Sequence, residues 1–220
     1  MPSAFLIRRT HQSLIRAGTV LAQEGHWQLC GQTEQVREAA GQVHLHQPDV
    51  LACDLRLVDG NATRLLRELQ PEGEQRPKVL LLTPSADDLL LFEALRSGGD
   101  GYCVDAGSGA ALPAALSQLH EGRAGMSPMI ARQMLAAFGL PRSNLQLAQC
   151  VASGQDLAPL AGHEPLSLSD QHLLSLVASG LLSEEIGQRW QLSLADVERR
   201  FAALYHELHL LPQRAVQHSA

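Results

Sequence analysis

The residue types capable of covalent or metal chemistry are present in this chain, but not at the spacings that chemistry needs. Its four cysteines, Cys30, Cys53, Cys103 and Cys150, form no Cys-x-x-Cys pair, so zinc ligation is not indicated and reduced core thiols are expected. The ten histidines are scattered, and His44 and His46 fall near a helix end, where a solvated imidazole is commoner than a ligand. No nucleophile stands beside a base, so no enzyme, no catalytic residue, no metal site and no cofactor are expected. The chemistry that the spacing does support is recognition. Between Leu166 and Leu210 two short helices joined by a tight turn are expected, the second presenting a polar face. Such a pair of helices can enter the DNA major groove.

The elements around that pair follow from local signals. Leu173, Leu174, Leu176 and Val177 form an apolar run that ends at Gly180, a residue that closes helices. Ser183 and Ser193 are expected to open the next two helices. Val197, Phe201, Leu204 and Leu208 recur at helical spacing and predict the buried face of the last one. Trp190 and Tyr205 are expected to pack rather than to read a ligand.

With these residues in place, the stretch resembles, without a gap, the LuxR-type helix-turn-helix of NarL/FixJ-family response regulators. The match is carried by Leu166, Ser167, Leu174, Leu176, Ala178, Gly180, Glu185, Ile186, Ser193, Val197 and Leu208. The resemblance implies backbone contacts from Leu182, Ser183 and Glu184, and base contacts from an exposed helix face carrying Glu198, Arg199 and Ala202, with Arg200 beside them. Arg199 would bind guanine O6 and N7, and Glu198 would accept from cytosine N4. Ser167, Ser183 and Ser193 would bond phosphates. Asp196 and Glu198 stand where the family commonly has threonine and lysine, and Glu207 replaces another basic residue. The segment from Pro212 to His218 resembles the family's fourth helix, commonly a dimerisation surface.

The first half alternates strand and helix patterns. AFLIRR, WQLCG, DVLAC, KVLLLT and GYCV read as five strands, with amphipathic segments between them. That order predicts a doubly wound five-stranded parallel α/β sheet, with function at the carboxyl ends of its strands. DVLACDLRLVDGNATRLLREL resembles the same family's receiver domain around its phospho-accepting aspartate, here Asp54. Thr83 falls on the switch hydroxyl and Tyr102 on the aromatic switch position. Phosphoryl transfer to such an aspartate also needs a divalent cation held by hard oxygen ligands. The resemblance places Thr10 and His11 at the acidic pair, or Arg8 and Arg9 in a shifted register, and Asp105 at the lysine after the fifth strand. With Mg2+ ligands and lysine both missing, Asp54 is expected to be an inactive carboxylate, paired with Arg8 or Arg9.

Three segments are therefore expected: an atypical receiver-like domain over 1–124, a helix and linker over 125–162, and an all-α helix-turn-helix domain over 163–220. The net charge is −6. From Leu160 onward, four bases (Arg189, Arg199, Arg200, Arg214) face seven acids (Glu164, Asp170, Glu184, Glu185, Asp196, Glu198, Glu207). A DNA-binding domain normally has the opposite balance. The leading expectation is a phosphorylation-independent transcriptional regulator binding double-stranded DNA as a homodimer. The alternatives are a protein-interaction regulator whose acidic helix-turn-helix has a protein partner, and a pseudo-receiver sensing a small ligand. No apolar run approaches the roughly 18 residues of a membrane span, and the start lacks a secretory pattern, so a cytoplasmic protein is expected.

Overall fold

The computed structural model describes residues 1–69, 76–140 and 166–217, with side chains described as far as residue 211. Cys150 and most of the expected linker lie outside these residues. The chain divides into two units, Met1–Ala124 and Gly125–Ala220.

In the first unit β1 (Ser3–Ile7), β2 (Gln28–Thr33), β3 (Val50–Asp54), β6 (Lys78–Thr83) and β7 (Gly101–Val104) form one parallel sheet in the order β2-β1-β3-β6-β7. The strands are joined by α1 (His11–Glu24), α2 (Val36–His46), α3 (Ala62–Glu68), α4 (Leu89–Arg96) and α5 (Leu112–His120). A two-residue hairpin of β4 (Arg56–Leu57) and β5 (Gly60–Asn61) precedes α3 and was not apparent in the sequence. β1 and β3 are in register from Ala4 beside Val50 to Ile7 beside Cys53. Strands covered by helices on both faces lose their alternation, and Val50, Leu51, Ala52 and Cys53 are accordingly all buried. Leu6, Leu14, Leu21, Leu80 and Leu116 belong to one apolar cluster of that core. Strand order reverses between β1 and β3, so the carboxyl ends of these two strands flank the crevice where ligands of such sheets bind.

The second unit is helical, with α6 (Pro128–Ala137), α7 (Leu168–Ala178), α8 (Ser183–Trp190) and α9 (Leu194–Gln217). Ser127 caps α6 with Pro128 in its first turn, and α6 packs on α7. The expected face of Val197, Phe201, Leu204 and Leu208 is buried, together with Tyr205, whose hydroxyl donates to the Gly125 carbonyl at 2.8 Å. The terminal segment expected as a separate helix continues α9 without a break as far as Gln217. Leu182, not Ser183, occupies the cap of α8, and Glu185 accepts its N–H at 2.8 Å. That corrects the expected cap by one residue: the Glu185 carboxylate reaches back to the N–H of the cap residue itself, the half of a capping box that needs no serine.

The turn between α8 and α9 closes tightly. Gln191 adopts the left-handed conformation, and Leu192 donates its N–H to the Gly187 carbonyl at 2.9 Å. A Cβ on Gly187 would lie 2.9 Å from the Leu192 carbonyl oxygen. Gly187→Ala is therefore expected to destabilise this unit by about 1–3 kcal/mol, against the usual gain from placing alanine in a helix. Hydrogen exchange should show faster opening of α8 and α9 while β1 and β3 keep their protection.

Candidate functional site

The crevice at the carboxyl end of the sheet is occupied by an arginine. Arg8, the first residue after β1, is only 2% exposed. Its Nε lies 3.0 Å from Asp54 Oδ1, and its Nη2 donates to Asp105 Oδ2 at 2.8 Å. Arg9 adds its backbone N–H to Asp54 Oδ2 at 2.8 Å. Asp54 closes β3 and Asp105 follows β7, so one guanidinium joins the ends of three strands. Asp105 Oδ1 also accepts the N–H groups of Gly107 and Gly109, at 3.1 and 3.0 Å, and thereby fixes the loop before α5.

The shifted register is thus the one the fold adopts, and the gapless placement of Thr10 and His11 is corrected. Thr10 caps α1, exchanging hydrogen bonds with Ser13, and His11 Nδ1 lies 3.2 Å from Glu34 Oε1. Thr83 is buried, and its hydroxyl donates to the Ser85 carbonyl at 2.9 Å within its own turn. Tyr102 is half-buried on β7. Arg56 forms a bidentate pair with Asp88, the cap of α4, and so ties the loop after β3 to that helix.

Burial pushes the Asp54 carboxyl upward, opposed by the Arg8 guanidinium. Burial acts on Asp105 in the same sense, but the Gly109 N–H and Arg8 outweigh it and hold that carboxyl below its ordinary value. A divalent cation does not fit these residues. The position beside Asp54 is filled by a covalently tethered positive charge, and among the described residues no three metal-ligating side chains cluster. Cys53 and Cys103 are core thiols, raised by burial, Cys103 to about 11.

The second candidate surface is the front of α8 and α9. Glu198 is only 8% exposed, so its expected place on the exposed reading face is corrected. It neighbours Val197 on the inward side of α9, a position that periodicity by itself left at the boundary. Arg199 is exposed, and its Nη1 donates to Asp196 Oδ1 at 2.6 Å. Arg200 is engaged within the unit: it donates to Ser169 Oγ at 2.7 Å, pairs with Asp170 at 3.3 Å and lies over the Trp190 ring at 5.4 Å. It therefore braces α7 and α8 against α9. Ser167 and Ser193 each donate to the carboxylate three residues on, Asp170 and Asp196, both at 2.5 Å. Their hydroxyl protons are spent on these caps. Arg189 is exposed and forms no ion pair among the described residues.

Arg8→Ala would leave two buried carboxylates facing each other without a counter-charge, and is expected to cost about 3–5 kcal/mol near neutral pH. In that variant the Asp54 carboxyl, already raised by burial, loses the guanidinium that opposes the rise, so its ionised form opposes folding and protonation relieves the strain. In the native chain Asp105 contributes stability above about pH 4 that is lost as pH falls further, while Asp54 contributes in the opposite sense. Denaturant unfolding should show the cost of Arg8→Ala shrinking from about pH 7 to about pH 4. A cost independent of pH would rule out this electrostatic account.

No family model matches the chain. Over 210 residues it is 28% identical to the DNA-binding transcriptional activator DevR/DosR of Mycobacterium tuberculosis, a match spanning 94% of this chain and 88% of that protein. It is 27% identical over 176 residues to the oxygen regulatory protein NreC of Staphylococcus carnosus, covering 79% of this chain and 75% of NreC. Among solved structures, RcsB of Salmonella enterica serovar Typhimurium, bound to a promoter in the presence of a phosphomimetic, has a TM-score of 0.50 at 16% identity. That likeness of fold spans 97% of this chain and 98% of RcsB. A parallel α/β unit followed by a helix-turn-helix unit, together with these regulators' similarity over most of the sequence, is consistent with the resemblance to NarL/FixJ-type response regulators.

Proposed function

We propose that this chain is a cytoplasmic transcriptional regulator that binds double-stranded DNA as a homodimer and does so without phosphorylation of Asp54. The DNA-binding part rests on the names of its relatives, an activator that binds DNA among them, and on the α8–α9 pair with its three-residue turn. Independence from phosphorylation rests on the single Arg8 guanidinium that spans Asp54 and Asp105. An incoming phosphoryl group needs its oxygens neutralised by a metal, and Arg8 both fills that place and draws the Asp54 oxygens into hydrogen bonds. The relatives are transcription regulators rather than enzymes by name, and no helix among the described residues is long and apolar enough to cross a membrane.

A second reading has its own observation. Glu184 and Glu185 are exposed at the start of α8, beside the exposed Leu182. An acidic surface with an apolar knob suits a basic protein partner better than a phosphate backbone.

The two readings separate in a titration of promoter duplexes with the full chain. Binding is expected at low salt and unchanged by acetyl phosphate with Mg2+, because the donor has no competent acceptor. Enhanced binding after phosphodonor treatment would overturn the phosphorylation-independent part, and no binding to any duplex at low salt would favour the protein partner. With four bases against seven acids from Leu160 onward, the salt dependence should be shallow. Arg189→Ala should weaken all duplexes evenly and lower the logarithmic salt slope by about 1.

A further inference from the structure

Three side chains at the start of α9, the preceding Ser193 among them, form one hydrogen-bonded relay. Ser193 Oγ donates to Asp196 Oδ2 at 2.5 Å and accepts the Asp196 N–H at 3.1 Å. Asp196 Oδ1 then accepts from Arg199 Nη1 at 2.6 Å. The carboxylate thus has one oxygen held by the helix cap and the other by the guanidinium. Asp196 is held below the ordinary carboxylate range, first by the Ser193 hydroxyl and then by Arg199, so it remains charged at neutral pH.

Arg199 lies two residues from both Val197 and Phe201, which are buried. At about 100° per residue that places it on the side of α9 opposite the core. Its neighbours on that side are Ala195, Ala202 and Ala203, all at least partly exposed. Short side chains on both flanks let the helix approach a groove floor closely while the arginine reaches beyond them. Nη1 is occupied by Asp196, and Nε and Nη2 make no hydrogen bond among the described residues. A planar fork with its free edge directed away from the carboxylate matches two acceptors side by side. In the DNA major groove that pair is guanine O6 and N7.

We infer that Arg199 reads a guanine base and that Asp196, fixed by Ser193, is the positioning residue that holds the guanidinium for it. This inference rests on the DNA-binding reading above and on the guanine contact that the resemblance implied for Arg199, and adds the residue that positions it. It also gives Asp196 a role where a cation was expected. The carboxylate is neutralised locally by Arg199, and the arginine enters the groove with fewer orientations to lose.

The test uses the purified full chain and a duplex library with a randomised centre, followed by titration of the enriched duplex. The native protein should enrich a guanine at one position of each half-site. Replacing that guanine by 7-deazaguanine, which lacks N7, should weaken native binding by about tenfold or more. Arg199→Ala should lose the preference at that position alone, and Arg199→Lys should keep affinity for mixed duplexes without restoring it. Asp196→Asn should relax the same position and leave the others. An Arg199→Ala protein that still selects the guanine overturns the assignment. An Asp196→Asn protein weakened evenly on all duplexes makes Asp196 a helix cap only and overturns its positioning role. If the native protein enriches no duplex at low salt, the DNA-binding reading fails first and this inference falls with it.

Discussion

A charged group taken out of water needs a counter-charge within contact distance, and Arg8 is the place where this chain meets that demand. Its guanidinium is buried at the point where the sheet reverses its strand order, with Asp54 on one side and Asp105 on the other. Neither carboxylate is stable there without the arginine, and the arginine is not stable without them. The same contact sets the position of the Gly107–Gly109 loop through Asp105. Structure and chemistry thus pull together: the crevice at the carboxyl ends of β1 and β3 is closed by a cation belonging to the chain.

The C-terminal unit distributes its few cations with similar economy. Arg200 is a brace, stacked on Trp190 and bonded to Ser169 and Asp170. Arg199 is oriented by Asp196, and Arg189 stands out in solvent. With four bases against seven acids from Leu160 onward, this region has a weak long-range attraction for a phosphate backbone. On the DNA-binding reading, discrimination would come from directed hydrogen bonds at short range, which a preorganised arginine supplies better than a diffuse field does.

Much of the fold was legible along the chain. The five apolar runs from AFLIRR to GYCV and the spacing of Val197, Phe201, Leu204 and Leu208 each carried a local period, and each became the expected strand or buried face. The helix ends followed capping residues except at α8, where Leu182 holds the cap position expected of Ser183 and Glu185 bonds its N–H. Glu198 was misplaced because it sits at the edge of a helical stripe, and polarity alone suggested solvent. Arg200 looked like a groove contact for the same reason. Its partners Ser169 and Asp170 lie 30 or more positions away and leave no periodic trace.

The sequence by itself determined the α/β and helix-turn-helix architecture, because strand and helix periods, caps and turn residues are local properties. It also showed that a metal's acidic ligands and the lysine after the fifth strand were missing, since those are matters of residue type. Only the tertiary structure decided which residues took their place. Arg8 rather than Thr10 or His11 faces Asp54, and Asp105 is its second partner, because the end of β1 and the start of α1 set the register. Ion pairs across 46 and 97 residues depend on how strands lie side by side, and that order is written in no single stretch of the chain.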